Sequence, residues 1–175
     1  MPDSILPYLA RDQRQTMVNY YNLHTADSVK NALNGKSRID SLSNFWLQAS
    51  LSQDSKLEMM LIPVKSDTLT LMIITVGNKY PESNITIYNH LWQTVPVYSV
   101  IKVPNATELL AKPDSMSAET FDSLKKSIDF TVMSARLSDD KKQVVFSIQA
   151  PQVDTFQQNR INKLFREAAI DIKHI

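Results

Sequence analysis

The chain has 175 residues, of which 43% are apolar and 21% charged, and its formal net charge is +1. This length and apolar content suit one domain, so we predict a single domain over residues 1–175. The small net charge argues against nucleic acid as a partner, and the absence of cysteine excludes disulfides and thiolate metal sites. No apolar stretch reaches 18 residues, so we predict no transmembrane segment.

The N-terminal third of the sequence begins as helix and then changes to strand. Residues 3–23 are predicted to be helical in two pieces, separated at Pro7. From residue 28 the apolar period changes to two, which is typical of strands. Asn34 and Gly35 lie between two alternating runs, and this dipeptide favours a type I′ hairpin turn because both central residues need positive φ. The next strands are predicted over "FWLQASL", "KLEMMLIPV", "TLTLMIITV" and "NITIYN".

The run "TLTLMIITV" differs from its neighbours because it is apolar on both faces from Leu69 to Val76. We therefore predict a central strand that is covered on both sides. Residues 89–116 are interrupted by prolines and are predicted to be irregular, with a short helical turn in "NATELLA".

The C-terminal third combines two helices with a second hairpin. Ser117 is predicted to cap a helix over "AETFDSLKKSI", because its hydroxyl can accept from free first-turn amides. The strands "DFTVMSARL" and "KQVVFSIQ" are predicted to pair through a turn at "SDDK", and "IDIKHI" is a candidate last strand. A helix is predicted over residues 154–168, capped by Asp154, with Gln157 in a capping-box position and an apolar stripe of Phe156, Ile161, Leu164, Phe165 and Ala168.

These elements predict an α+β fold. Its mostly antiparallel sheet consists of about eight hairpin-linked strands, because consecutive strands joined by tight turns pair antiparallel. Helices are expected to pack on one face of this sheet, with the other face partly solvated.

No local motif in the sequence specifies a cofactor or a metal. The segment "NGKS" (residues 34–37) ends like a phosphate-binding loop, but Lys30 occupies the position where that loop needs its first glycine. The histidines His24, His90 and His174 have no metal-ligand spacing, and Asp139-Asp140 suits a hairpin turn better than a calcium site. We therefore predict no cofactor and no metal.

Aromatic residues concentrate in a long proline-containing region, residues 78–104. Such side chains stack on sugar rings or anchor protein partners, and they equally form a minor core under a loop. Long ordered loops often carry function, so this region is the candidate binding surface. Its members are Tyr80, Tyr88, His90, Trp92 and Tyr98.

Several segments in order resemble an uncharacterised Bacteroidales family of exported proteins, catalogued as a domain of unknown function. The segments are "MPDSILPYL", "NYY", "NGKSRIDSL", "LEMMLIPVK" and, ahead of a helix, "KPDS" at Lys112–Ser115. The resemblance implies a periplasmic, cell-envelope or secreted location and a signal peptide upstream, so we expect Met1 to be an internal methionine, or an added start, within a longer precursor. It implies no catalytic residues, because the family has no assigned activity.

Two functional hypotheses follow from the sequence. The first is a non-enzymatic binding or interaction module of the cell envelope, whose partner is a protein or a glycan. The alternative is a hydrolase-like enzyme with a site assembled from distant Ser, Asp and His residues, including His24 or His90. A histidine oriented by a carboxylate within a pocket would favour the enzyme, and an exposed aromatic-rich patch would favour the binding module.

Overall fold

The computed structural model describes residues 1–65, 67–151 and 155–173, without the side chains of residues 155–157. Its main element is a seven-stranded sheet in which each strand pairs antiparallel with the next in the chain. The strands are β1 (Val29–Lys30), β2 (Lys36–Leu42), β3 (Trp46–Ser52), β4 (Ser55–Val64), β5 (Asp67–Val76), β6 (Glu82–Tyr88) and β7 (Thr94–Val95).

A second, three-stranded antiparallel sheet has the order β10-β9-β8. Its strands are β8 (Val132–Leu137), β9 (Gln143–Gln149) and β10 (Ala168–Asp171). The helices are α1 (Arg11–Asn22), α2 (Ala118–Lys126) and α3 (Thr155–Asn162), with 3-10 turns at Val97–Ser99 and Ala106–Leu109. The α+β class and the mostly antiparallel pairing are thus confirmed.

The first face of the large sheet is covered by the N-terminal segment and α1. Leu6, Leu9 and Met17 are buried there against Leu51 and Leu57 of β3 and β4. Helix α1 begins after Ala10, whose N–H donates to Gln13 Oε1 at 2.7 Å and so satisfies a free amide at the helix start. Helix α1 thus covers one face of the sheet, as predicted, whereas α2 and α3 pack against each other through Leu124 and Ile161.

The second face of the large sheet packs against the second sheet over β5 and β6. Leu71, Ile73 and Ile87 are buried against Val144 and Phe146 of β9. Residues 69–73 of β5 are therefore buried on both faces, which confirms the predicted central strand, although Val76 at its end is 56% exposed. Over β2 and β3 the second face is open to solvent, which agrees with the expected partly solvated face. The remainder of this face is covered by the second sheet.

The first hairpin forms where predicted, but its turn differs from the predicted type I′. The last pair before the turn is Lys30 opposite Lys36, so the loop that connects the two strands has five residues, 31–35. Asn34 has a φ of 59°, whereas Gly35 does not have a positive φ. The buried side chain of Asn31 organises this loop instead, because its Oδ1 accepts from the N–H groups of Leu33 and Gly35.

The two C-terminal helices agree with their predictions to different extents. Ser117 caps α2, with its Oγ accepting from Thr120 N at 3.2 Å, as predicted. The prediction that the last helix extends to residue 168 is wrong, because α3 ends at Asn162 and residue 168 begins β10. Residues 164–166 bond instead to residues 109–111, through Ala111 N to Leu164 O and Arg166 N to Leu109 O. Asp154, the Phe156 and Gln157 side chains, and His174 lie outside the described part.

Candidate functional site

Two members of the predicted aromatic surface pack together as a small core. Tyr88 is buried on the first face of the sheet, and its ring centroid lies 5.7 Å from that of Trp92. Trp92 has a φ of 60°, in a tight turn where Asn89 Oδ1 accepts from the N–H groups of Leu91 and Gln93. This turn folds the Trp92 indole back over the sheet, so the indole is partly buried against the first face and only partly exposed.

The other predicted members lie elsewhere. Tyr80 precedes β6 and Tyr88 ends it, so a whole strand separates them. Tyr98, in a 3-10 turn, is 78% exposed. The structure therefore does not gather the aromatic residues of 78–104 into one surface, and a binding role for them stays a prediction.

His90 pairs with Asp67 at the end of the sheet. His90 Nδ1 lies 2.7 Å from Asp67 Oδ1, and this hydrogen bond, with that from Thr68 N–H, holds the pKa of the Asp67 carboxyl below its usual value. The pair is the carboxylate-oriented histidine that the enzyme hypothesis requires. However, the imidazole is 62% exposed, and within the described residues no serine bonds to it. A hydrolytic triad needs that nucleophile.

Asp140, a member of the predicted Asp139-Asp140 turn, has a structural role. Asp140 Oδ1 accepts from Ser138 Oγ at 2.7 Å and Lys142 N at 3.1 Å, which fixes the β8–β9 turn and lowers the pKa of the Asp140 carboxyl. Residues 1–65, 67–151 and 155–173 contain no group of three side chains arranged to hold a metal ion.

The open half of the sheet's second face is lined by polar side chains. Because side chains alternate along a strand, β2, β3 and β4 each direct alternate residues to this face. We call this surface the polar shelf, and it consists of Lys36, Arg38, Gln48, Ser50, Ser52 and Lys56.

Strand register joins the shelf into one continuous row. Arg38 lies opposite Ser50, Ser50 opposite Lys56, and Lys56 opposite Thr75. Four strands thus contribute one residue each, and three strand spacings extend over about 14 Å. The row is long enough to contact several units of an extended ligand.

Two grooves meet along this row. The first, of 540 Å³, is lined by Lys36, Arg38 and Ser50 among others, and no carboxylate lines it. The second, of 330 Å³, separates β4 from the β8–β9 hairpin and includes Lys56 and Glu58. Since Ser50 and Lys56 are cross-strand partners, the grooves are neighbours on one surface.

Buried polar contacts fix the wall of the first groove. Asn31 Nδ2 donates to Leu51 O at 2.7 Å and to Ser37 Oγ at 3.0 Å, both in the sheet. The same side chain holds the 31–35 loop, which includes the groove-lining Gly35. An added Cβ at Gly35 would lie 3.0 Å from Asn31 Nδ2, so only a small residue fits between loop and sheet.

The second groove is walled by the edge of β8. Ser83 Oγ bonds to both the N–H and the carbonyl of Ala135, and Glu58 Oε2 accepts from Leu137 N at 3.2 Å. Side chains of the large sheet thereby satisfy backbone groups that a free strand edge would leave unpaired. Burial raises the pKa of the Glu58 carboxyl, an effect opposed by the Leu137 N–H and by nearby cations.

Several shelf side chains are free to bind a ligand. Within the described part of the chain, Lys36, Gln48 and Lys56 have no side-chain hydrogen bond or ion pair. Asp40 contacts two other shelf side chains, since its Oδ1 pairs with Arg38 Nε at 2.9 Å and its Oδ2 accepts from Ser50 Oγ at 2.7 Å. The Lys141 ammonium, beside the shelf, lies 4.5 Å from the Trp46 ring centroid. The shelf therefore presents hydrogen-bond donors and positive charge.

The polar shelf was not predicted from the sequence. Its signal was present as alternation, because polar residues recur at every second position in β2 and β3. Without strand pairing, that pattern specifies only a solvated face, and nothing in it places Arg38, Ser50 and Lys56 side by side.

Comparisons with known proteins agree with the fold. Over 97% of this chain and 87% of the other, the structure is similar to a domain of an uncharacterized protein from Porphyromonas gingivalis W83, at a TM-score of 0.74 and 13% identity. A comparison with curated proteins gives no match. None of the described helices combines the length and apolarity needed to cross a bilayer. Residues 1–170 match the model of a family described as "Protein of unknown function (DUF3256)", and the chain belongs to that family.

Proposed function

We propose that the chain is a non-enzymatic binding module of the cell envelope and that its polar shelf binds a glycan. The observation that carries this proposal is the continuous row Arg38–Ser50–Lys56 on an open sheet face. Hydroxyl, amide and cationic groups are interleaved there, and they match the many hydroxyl groups of a sugar chain. The grooves are neighbours on one sheet face, which suits an extended ligand lying across the strands.

The envelope location is part of the same proposal. It is supported by the resemblance to exported Bacteroidales proteins carried by "MPDSILPYL" and "NGKSRIDSL". Fractionation of the native cells with an antibody against the domain tests it. We expect the protein in the envelope or medium fraction, and recovery only with cytosolic markers would contradict the location.

A thermal-shift screen of the purified chain against neutral and acidic oligosaccharides tests the glycan proposal. A ligand present at 100 times its dissociation constant stabilises by about 2.7 kcal/mol, which gives a readily measured shift. We expect a reproducible shift with at least one oligosaccharide. A flat response across the panel would overturn the proposal.

Steric variants locate the binding surface. Ser50→Trp places a large ring in the middle of the shelf and is expected to abolish the shift. The matched control is Asn84→Trp, at an exposed strand position on the opposite face of the sheet. Loss of binding in the control, or retention in Ser50→Trp, would place the ligand elsewhere.

A protein partner is the second candidate, because apolar side chains are exposed at one end of the sheet. Phe45 is 65% and Leu61 40% exposed, and the carbonyl of Phe45 accepts from Leu61 N. Adjacent exposed apolar residues often mark protein contacts. Photo-cross-linking groups at Phe45 and Leu61, compared with the distant exposed Leu33, test this candidate. Equal labelling at all three positions would reject it.

The enzyme alternative rests on the His90–Asp67 pair. Its test is hydrolysis of ester and glycoside substrates by the wild-type chain and by His90→Ala. The binding-module proposal predicts no turnover above background in either protein. Turnover that disappears in His90→Ala would instead establish the hydrolase.

A further inference from the structure

We infer that the ligand of the polar shelf is an acidic oligosaccharide, bound through Lys36, Arg38 and Lys56. This inference rests on the proposed function and adds the chemical class of the glycan. It follows from where positive charge lies on the shelf and from which cations already have partners.

The lining of the first groove contains cations and no carboxylate, although the Asp40 carboxylate beside it accepts from Arg38 and Ser50. Lys36 and Arg38 are the charged residues that line it, in a chain whose total net charge is only +1. Arg38 forms an ion pair with Asp40, but the pair lies on the surface and the Arg38 side chain remains 58% exposed. Its other guanidinium N–H groups can bind a second carboxylate, since a guanidinium has five donors.

Lys36 and Lys56 supply ammonium groups without a direct carboxylate partner, although Lys56 is one of the cations that oppose the rise in the Glu58 pKa. Neither ammonium forms an ion pair within 1–65, 67–151 and 155–173. They lie on β2 and β4, two strand spacings apart and offset by two residues along the strands, so their Cα atoms are about 12 Å apart. A polymer with a negative charge on successive sugars can contact both ammonium groups, whereas a single small anion contacts one.

The second groove favours neutral groups of the same ligand. Its charges are mixed, because Glu58 and Asp139 line it together with Lys56, Arg136 and Lys141, and Arg136 already pairs with Glu167. Its amide and hydroxyl groups belong to Gln48, Ser134 and Ser147. We therefore place the anionic sugars over β2 to β4 and uncharged sugar hydroxyls beside β8. The mixture of free cations and hydroxyl groups also separates this surface from a continuous basic stripe for nucleic acid.

Isothermal titration with hexagalacturonate tests the inference, with its fully methyl-esterified form as the neutral analogue and a single-stranded hexanucleotide as a non-sugar polyanion. We expect hexagalacturonate to bind, the ester to bind about tenfold more weakly or worse, and the oligonucleotide more weakly still. Affinity for hexagalacturonate should fall as sodium chloride increases, because the charges are exposed.

A pair of charge variants assigns the effect to the shelf. Lys36→Gln/Lys56→Gln should weaken hexagalacturonate binding by about tenfold or more. The matched control, Lys125→Gln/Lys126→Gln, removes the same charge from exposed positions on α2 and should bind as the wild type does.

The outcomes separate this inference from the proposed function. Equal binding of the ester would overturn the acidic ligand and leave a neutral glycan. Equal binding of the oligonucleotide, or equal losses in both double variants, would reduce the effect to non-specific charge and overturn the inference. No binding of either sugar, in titration or in the thermal-shift panel, would overturn both proposals.

Discussion

Strand β4 crosses two environments on one face of the large sheet. Met60 and Ile62 lie under the second sheet and are buried, whereas Lys56 lies on the open shelf and Glu58 lies at the boundary. All four side chains point the same way from the same strand, so backbone conformation does not distinguish them. The four positions differ in whether the second sheet covers them. The covered positions carry apolar residues, and the uncovered positions carry polar ones.

This contrast separates residues that hold the fold together from residues that are available for binding. Burial of apolar side chains is the main favourable term in folding, so the covered half should dominate stability. Exposed polar side chains away from special contacts change stability little. The following substitutions test that division, and they are ordered by expected effect.

Phe146→Ala should have the largest effect, because Phe146 is 1% exposed between the two sheets. Removing a buried phenyl ring leaves a cavity, and we expect the free energy of unfolding to fall by about 3–5 kcal/mol. Lys56→Ala on the shelf should change it by less than about 0.5 kcal/mol. Urea unfolding measures both, and comparable losses would contradict the division into covered and open halves.

Asn31→Ala should be next, because Asn31 is buried and its amide makes four hydrogen bonds at the wall of the first groove. The variant leaves buried polar groups without partners, at a cost of about 2–3 kcal/mol. The control is Leu33→Ala, at a 69% exposed position of the same loop. If Leu33→Ala cost as much as Asn31→Ala in thermal unfolding, the anchoring role of Asn31 would be wrong.

Glu58→Gln tests the boundary between the halves through pH. Burial raises the folded-state pKa of Glu58 above its ordinary 4.5, so the folded chain binds more protons than the unfolded chain between these two values. Wild-type stability should therefore fall as pH rises through that window, with the full penalty above it. The amide introduced by Glu58→Gln keeps an acceptor for the Leu137 N–H without a charge to bury.

We therefore expect Glu58→Gln to be more stable than the wild type at neutral pH, by a smaller amount than the losses above. Its stability should also depend less on pH between 4.5 and neutrality. Urea unfolding across this range measures both features, with Glu82→Gln at an exposed strand end as the control. Parallel wild-type and Glu58→Gln profiles would show that burial does not penalise the Glu58 charge.

Asp67→Asn should have the smallest effect, because its partner His90 is largely exposed and water screens the pair. The lowered folded-state pKa of Asp67 means that the pair stabilises the fold above the ordinary value of 3.8. This contribution is lost as pH falls through the lowered value. The variant should be slightly less stable than the wild type at neutral pH, and the two should converge in acid; a constant difference would point to another cause.

The fold was largely predictable from local patterns. Alternation located the strands, and the two-sided apolar run at Leu69–Val76 identified the central one. The Ser117 cap was also predictable, because the hydroxyl and the amide that it binds are three residues apart. These features depend on contacts close in sequence or on the average character of a strand.

The errors arose where distant residues compete with local preference. The apolar stripe through Leu164 and Phe165 suits a helix, yet Phe165 bridges to Leu110 and the helix ends earlier. At the first hairpin, Asn31 bonds to Leu51, twenty residues away, and this contact fixes the longer loop in place of a two-residue turn. The hydrophobic period of a segment does not specify its contacts with residues that are distant in the sequence.

The candidate site was less predictable than the fold. The aromatic composition of residues 78–104 predicted a binding surface that includes Trp92 and Tyr88. In the fold these two rings pack against each other and the sheet. The polar shelf depends on register across four strands and on where the second sheet ends, which are both properties of the assembled fold. Individual polar residues such as Gln48 and Ser50 carry no separate signal in the sequence.

The most direct test of the account is an NMR titration of isotope-labelled chain with hexagalacturonate. If the open half of the sheet is the binding half, amide shifts should move along Arg38, Ser50 and Lys56 and stay unchanged at Phe146 in the covered half. Shifts confined to the Tyr88–Trp92 turn or to Phe45 and Leu61, or no shifts at all, would contradict the account.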